Sequence, residues 1–230
     1  MPDLASLRAR NAARWQVAKL TRAAEVGPVA ARLAAPAAKT RYQAIEAKTG
    51  VPWFFIAVAH QRESSQDWSR SLAQGDPWDR KSTHVPAGRG PFKSFEDAAV
   101  DALVNCAPYA ARNRDWSVGG LLTMLEQYNG LGYFNRGLPS PYIWSGTDQY
   151  AKGKYVADGK FDPNTVDKQL GCAGLILAMQ QIDPTIRFGA AAMPIDQAPT
   201  PSLPSPVNPA KGSVGALIAN FISSFFKRAA

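Results

Sequence analysis

Residues 53–65 read Trp-Phe-Phe-Ile-Ala-Val-Ala-His-Gln-Arg-Glu-Ser-Ser, an unbroken apolar run that turns abruptly polar. Trp53 through Ala59 leave no polar side around a helical wheel, so a helix over 52–65 is predicted to be buried on every face and central to the core. Pro52 stands where a first helical turn tolerates it. This central helix finishes on Glu63. A glutamate at the end of an apolar helix has its ionised form desolvated, which raises its pKa and keeps a proton available near neutrality. Protonating a glycosidic oxygen requires such a group. The plainer alternative is a surface glutamate paired with Arg62, and the rest of the chain has to decide between the two.

Working outward, Tyr42 and Ile45 share a face of a preceding helix that Gly50 closes. The Ala- and Arg-rich first 48 residues read as one or two helices interrupted at Gly27-Pro28 and Ala35-Pro36. Residues 66–92 hold Gly75, Pro77, Pro86, Gly88, Gly90 and Pro91 without a sustained period, predicting a long loop with room for a short hairpin. Trp68, Asp76, Trp78 and Asp79 within it argue for order. Ser94 caps a helix running to about Asn105, with Asp97 three residues on. Ser117 starts another that ends at Gly130. A further helix is expected from Asp162 and Pro163 to about Ile182. Residues 130–161 are expected to be irregular.

At 230 residues, with 46% apolar side chains, the chain can hold one domain of ordinary size plus appendages. No run reaches the roughly 18–20 apolar residues of a membrane span, and MPDLASLRAR lacks a secretory signal's apolar core. The net charge of +8 sits on the flanks: residues 1–50 carry nine Lys and Arg against Asp3, Glu25 and Glu46, while residues 51–188 are balanced. Such flanks suit attraction to an anionic polymer or membrane, or a solubilising arm. Nucleic acid is not expected as a partner, because the neutral centre lacks interleaved basic residues. Cys106 and Cys172 have no metal-ligand spacing, and they read as buried apolar side chains or a single bridge. No metal or cofactor is expected. From 189 to 212, Pro194, Pro199, Pro201, Pro204, Pro206 and Pro209 describe an extended linker. It leads to SVGALIANFISSFFKRAA, where Leu217, Phe221 and Phe225 form one stripe. Residues 213–228 therefore read as an amphipathic helix, too short to span a bilayer, that lies on a membrane or docks on the domain.

A second cluster lies far from Glu63 in sequence: Glu126-Gln127-Tyr128-Asn129-Gly130-Leu131-Gly132-Tyr133, then Ser140-Pro141-Tyr142-Ile143-Trp144-Ser145-Gly146 and Tyr150. Aromatic faces stack on sugar rings while amides and hydroxyls satisfy sugar hydroxyls. Tyr128, Asn129, Tyr133, Tyr142, Trp144 and Tyr150 are therefore the candidate substrate-binding residues, with core filling as the alternative for each aromatic.

Glu-Ser-Ser after an apolar helix, with a later helix ending in Tyr-Asn-Gly, resembles the lysozyme-like superfamily of goose-type lysozymes and soluble lytic transglycosylases. HQRESS, AQGDP, VPAGRGP and SPYIWSGTDQYAKGKYVADGK look like phage and prophage endolysins and bacterial muramidases. The resemblance covers about residues 40–185. It implies a mainly α, lysozyme-like helical domain with long irregular loops lining a cleft, Glu63 as general acid and Tyr128 and Asn129 in the cleft. It also implies cleavage of the β-1,4 bond between N-acetylmuramic acid and N-acetylglucosamine in peptidoglycan. The chain departs from lytic transglycosylases in having DPWDRKSTHVPAGRGP where they place a Gly-Leu-Met-Gln-like segment.

Four parts are thus expected: a basic helical segment 1–41, a catalytic domain 42–188, a linker 189–212 and a helix 213–230. An inverting hydrolase needs a second carboxylate to activate water, for which Asp76 is the first candidate and Asp79 the second. The alternatives are a lytic transglycosylase or a non-catalytic peptidoglycan- or chitin-binding module. The expected partners are peptidoglycan glycan strands and, through 213–228, a membrane surface. A monomer made in the cytoplasm of a bacterial host and acting at the cell wall is expected.

Overall fold

The structure, a computed structural model, describes residues 3–190 apart from Gln74 and Val85. It is mainly helical. In chain order the helices are α1 (Leu4–Val17), α2 (Ala23–Ala34), α3 (Pro36–Thr49), α4 (Trp53–Ser64), α5 (Phe95–Asn105), α6 (Val118–Asn129), α7 (Gly132–Asn135), α8 (Pro141–Trp144) and α9 (Cys172–Ile182). Two short antiparallel ladders accompany them. β1 (Asp115–Trp116) pairs with β4 (Gly189–Ala190), and β2 (Lys154–Ala157) pairs with β3 (Lys160–Asp162).

α4 is the axis of the molecule. Every residue in it except Gln61 is buried, and α2, α3, α6 and α9 all pack against it. An apolar belt around the whole helix has this consequence, since each face must find a partner away from water. Local signals set the ends of the neighbouring helices. Ser94 accepts from the Asp97 amide at 3.1 Å, and Ser117 accepts from the Gly120 amide at 3.2 Å. Pro36 opens α3, and the Gly50 amide closes it on Glu46 O at 2.7 Å.

The N-terminal segment belongs to the same core. Val26, Ala30 and Leu33 are wholly buried with α4, while α2 lies along α9 and α1 lies along α6. Residues 1–41 and the part from 42 onward therefore share one hydrophobic interior. Gly119 makes the α1 contact possible, because a Cβ there would come within 2.6 Å of the Arg8 carbonyl oxygen. The interruption expected at Gly27-Pro28 does not occur. α2 runs through it with the loss of one backbone hydrogen bond; the chain breaks at Ala35, as expected, and also at Ala18–Arg22, which the sequence did not mark.

The helix expected to start at Asp162 starts ten residues later, behind Gly171. Asp162 accepts from the Asn164 amide and the Thr165 hydroxyl, closing a local turn rather than a helix. Within 130–161, expected to be irregular, the chain forms α7, α8 and the β2–β3 hairpin. The 66–92 loop contains a tight turn in which the Ser71 amide donates to Asp76 O at 2.7 Å and the Trp78 amide to Ser69 O at 3.3 Å. Trp68 stacks on Tyr42 at 5.1 Å and accepts, through its carbonyl, from Trp78 Nε1. Cys106 and Cys172 are buried and unbridged. Gly189 and Ala190, expected to begin a linker, pair with β1 as β4. The remainder of that linker and the amphipathic helix 213–228 lie outside the described residues. No helix among the described residues is long and apolar enough to cross a membrane.

Candidate functional site

Glu63 occupies the last turn of α4 and is 7% exposed. The turn is fixed from behind by a buried polar chain. Burial holds the His60 imidazole down at about 4, so the ring is neutral. Its Nε2 donates to Asp67 O at 3.1 Å, leaving Nδ1 to accept from the Tyr42 hydroxyl at 2.9 Å. Gln66 donates to the same hydroxyl at 3.1 Å and accepts from Arg32 Nε at 2.7 Å. The end of α4 is thus tied to α3 and α2, and Ser65 turns the chain away in the left-handed region at φ 57°.

Burial pushes the Glu63 carboxyl up to about 8, against the opposing hydrogen bond from Tyr142 and the charge of Arg62. The Tyr142 hydroxyl donates to Glu63 Oε1 at 2.9 Å from α8. Tyr128, on α6, is buried with its ring against Phe55 at 6.0 Å, and burial, then the charges of Cys106 and Glu63, raise its phenol pKa. One buried tyrosine, Tyr142, therefore grips the protonated carboxyl directly.

Arg62 supports the opposite side. Its guanidinium carbon stands 4.6 Å from the Tyr142 ring centroid, Nη2 meets Asp167 Oδ2 at 3.3 Å, and Nη1 donates to Leu170 O at 3.3 Å. Its Nε is buried without a partner among the described residues. Burial alone would raise the Asp167 pKa, but Arg62 and Lys154 overcome it and hold the carboxyl below its usual range. Lys154 Nζ lies 2.9 Å from Asp167 Oδ1, and the Asp167 amide donates to the Tyr150 hydroxyl at 3.0 Å. The plainer alternative of Glu63 paired to Arg62 is replaced by this division: Asp167 takes the arginine, and Glu63 is left to hold a proton.

The remaining sequence candidates separate. Asp76 is 6% exposed and held within its own loop. Oδ2 accepts from the Thr83 and His84 amides at 2.8 and 3.0 Å, and Oδ1 accepts from His84 Nδ1 at 2.6 Å. Burial opposes ionisation there, yet the His84 and Thr83 bonds bring the carboxyl below its ordinary value. Asp79 is exposed beside Arg80. Asn129 is half-buried at the end of α6. Tyr133 is 5% exposed, and its hydroxyl accepts from the Tyr155 amide at 3.0 Å. Tyr150 is buried and donates to Gly153 O at 3.2 Å.

Tyr142 and Trp144 are 0% and 1% exposed, so neither ring offers a face on which a sugar could stack. α8 turns both inward, Tyr142 onto Glu63 and Trp144 toward a small niche lined by Leu7, Arg10 and Glu126. Asp167 and Lys154 went unrecognised in the sequence, Asp167 because it lies in the stretch 162–182 that reads as helix, and Arg62 was considered only as a partner of Glu63. Glu126 is a second buried acid, 2% exposed on α6 and pushed up to about 7 by burial. It accepts from Asn11 Nδ2 of α1 at 3.4 Å. No family model matches the chain, and no curated protein or solved structure matches it either.

Proposed function

We propose that this protein is a peptidoglycan-cleaving glycosidase of the lysozyme-like kind, with Glu63 as its general acid. The observation that carries the reading is the Glu63 carboxyl itself: buried at the end of the central helix, raised to about 8 and gripped by a phenol donor. At neutral pH it holds a proton that it can give to a glycosidic oxygen, a step worth roughly 10²–10⁴ in rate. Departure of the protonated oxygen leaves an oxocarbenium-like sugar, and the ionised Glu63 then faces that positive charge. The order of Glu-Ser-Ser and Tyr-Asn-Gly along the chain supports a β-1,4 bond between N-acetylmuramic acid and N-acetylglucosamine as the target.

In the hydrolytic version of this reading, Asp76 activates the attacking water. It is ionised at neutral pH, as a base must be. One observation favours a second version, lytic transglycosylation. Both Asp76 oxygens are already engaged by Thr83 and His84, whereas attack by the sugar's own 6-hydroxyl dispenses with a water-activating carboxylate. Mass spectrometry of digested peptidoglycan separates the outcomes. New reducing ends support hydrolysis and anhydro ends support transglycosylation. An absence of fragments, with binding retained, leaves a carbohydrate-binding module and ends the enzymatic proposal.

A further inference from the structure

Arg136, at the end of α7, is ordered on three sides without a carboxylate partner among the described residues. Its guanidinium carbon lies 4.7 Å from the Phe161 ring centroid and 5.5 Å from that of Tyr155, and its Nε donates to the Tyr155 hydroxyl at 2.8 Å. Those rings are themselves braced, Tyr155 against Tyr133 at 5.1 Å and Phe161 against Tyr155 at 5.4 Å. Arg22, Arg41, Arg62, Arg70 and Arg89 each meet a carboxylate. Arg136 meets none among the described residues, and its exposed side chain shows no bond there through either terminal nitrogen. Asp162, the acid on the adjacent strand, is occupied by Asn164 and Thr165.

A guanidinium held in place has already lost most of its rotamer freedom, and its two terminal nitrogens match the two oxygens of a carboxylate. The platform is also continuous with the Glu63 site. Tyr155 follows Lys154 on β2, Lys154 meets Asp167, and Asp167 meets Arg62. Tyr155 and Tyr133 are joined by a hydrogen bond as well. A neutral glycan has no use for a fixed guanidinium, but a glycan bearing acidic peptides does.

We infer that Arg136, with Tyr155 and Phe161, forms a carboxylate-recognition subsite for the peptide branches of a glycan strand that the Glu63 site acts on. The inference rests on the glycosidase reading above. Its test is therefore a binding measurement on the full-length Glu63→Gln chain, which removes cleavage from both polymers compared. Co-sedimentation is measured with cell-wall sacculi freed of phosphate polymers and with glycan strands from which an amidase has stripped the peptides, the lactyl carboxylates this exposes being capped as methylamides so that the strand is uncharged.

Adding Arg136→Met is expected to weaken binding to the peptide-bearing sacculi about tenfold and to change binding to stripped strands less than twofold. Arg136→Lys should fall between, because an ammonium cannot pair bidentately. The Arg136→Met difference should also shrink as salt is raised. Equal weakening on both polymers, or none on either, overturns the subsite and leaves Arg136 as a brace for the hairpin. An effect seen only on sacculi that retain phosphate polymers overturns it in favour of a phosphate partner. If the Glu63→Gln chain binds neither polymer, the glycosidase reading fails before Arg136 is examined. Melting temperatures of the variants are measured alongside, and Arg136→Gln replaces Arg136→Met should the latter unfold.

Discussion

Glu63 has a folded-state pKa raised above its unfolded value, the reverse of an ion-paired surface carboxylate, and both its chemistry and its stability cost follow from that sign. Folding takes up a proton here between pH 4.5 and about 8, so stability contributed by this position falls as pH rises through that window and is flat above it. Glu63→Gln keeps the shape and abolishes the titration. It should cut wall cleavage by roughly 10²–10⁴ while making the protein more stable above pH 8, by on the order of 2–4 kcal/mol, with the gain vanishing near pH 4. Thermal melts across pH check the second half, and a variant no more stable at pH 8 than the parent would mean the carboxyl is not desolvated. Tyr142→Phe tests its neighbour. The Tyr142 bond lowers the Glu63 pKa, so its loss should move the alkaline limb of the rate profile, expected near 8, upward. A limb that moves down instead would show that the phenol does not stabilise the ionised acid.

At the scale of elements, α1 is held against α6 over Glu126, and this seam contains a second titration. Burial raises Glu126 to about 7 against the Asn11 bond and the charges of Arg10 and Arg14, so its stability cost grows from pH 4.5 and is complete above about 7. Glu126→Gln is expected to stabilise the chain at pH 8 by up to about 3 kcal/mol, several degrees in melting temperature, and to do nothing at pH 4. Wall cleavage at pH 6 should be unchanged.

The same elements show what the sequence could and could not reveal. α4 was legible because apolar residues on every side of a helix admit one placement, and α5 and α6 because Ser94 and Ser117 announce their caps. α9 was misplaced because Asp162-Pro163 looks like a helix start while the true cap, Gly171, is chemically silent. A Cβ at Gly171 would meet the Ile143 carbonyl oxygen and lie 2.6 Å from the Ser145 amide, a requirement set by α8 that no local pattern encodes. Tyr142 and Trp144 were candidates for sugar stacking with core filling as the alternative, and core filling is what their burial shows. Composition says that rings are present, and only the packing of α8 on α6 and α9 says that they point inward.

Across the whole molecule, the basic first 50 residues are built into the helical body through α1, α2 and α3, so their charge moves with the Glu63 site rather than on a separate arm. Arg8, Arg10 and Lys19 are exposed along or just after α1, suited to drawing the protein toward an anionic wall at low ionic strength. Residues 191–230 lie outside the described residues; the sequence expectation there is an apolar stripe of Leu217, Phe221 and Phe225 behind a Pro-rich tether, which would add a different, apolar attraction. The two act on different substrates. Purified peptidoglycan presents no bilayer, whereas an intact cell presents both surfaces. Removing residues 191–230 spares β4 and its pairing with β1, so the truncated chain should keep its melting temperature and its rate on purified peptidoglycan. Lysis of intact cells should drop several-fold and should become more sensitive to salt, since only the basic face then recruits the enzyme. Equal losses on purified wall and on cells would assign residues 191–230 to the helical body instead of the membrane.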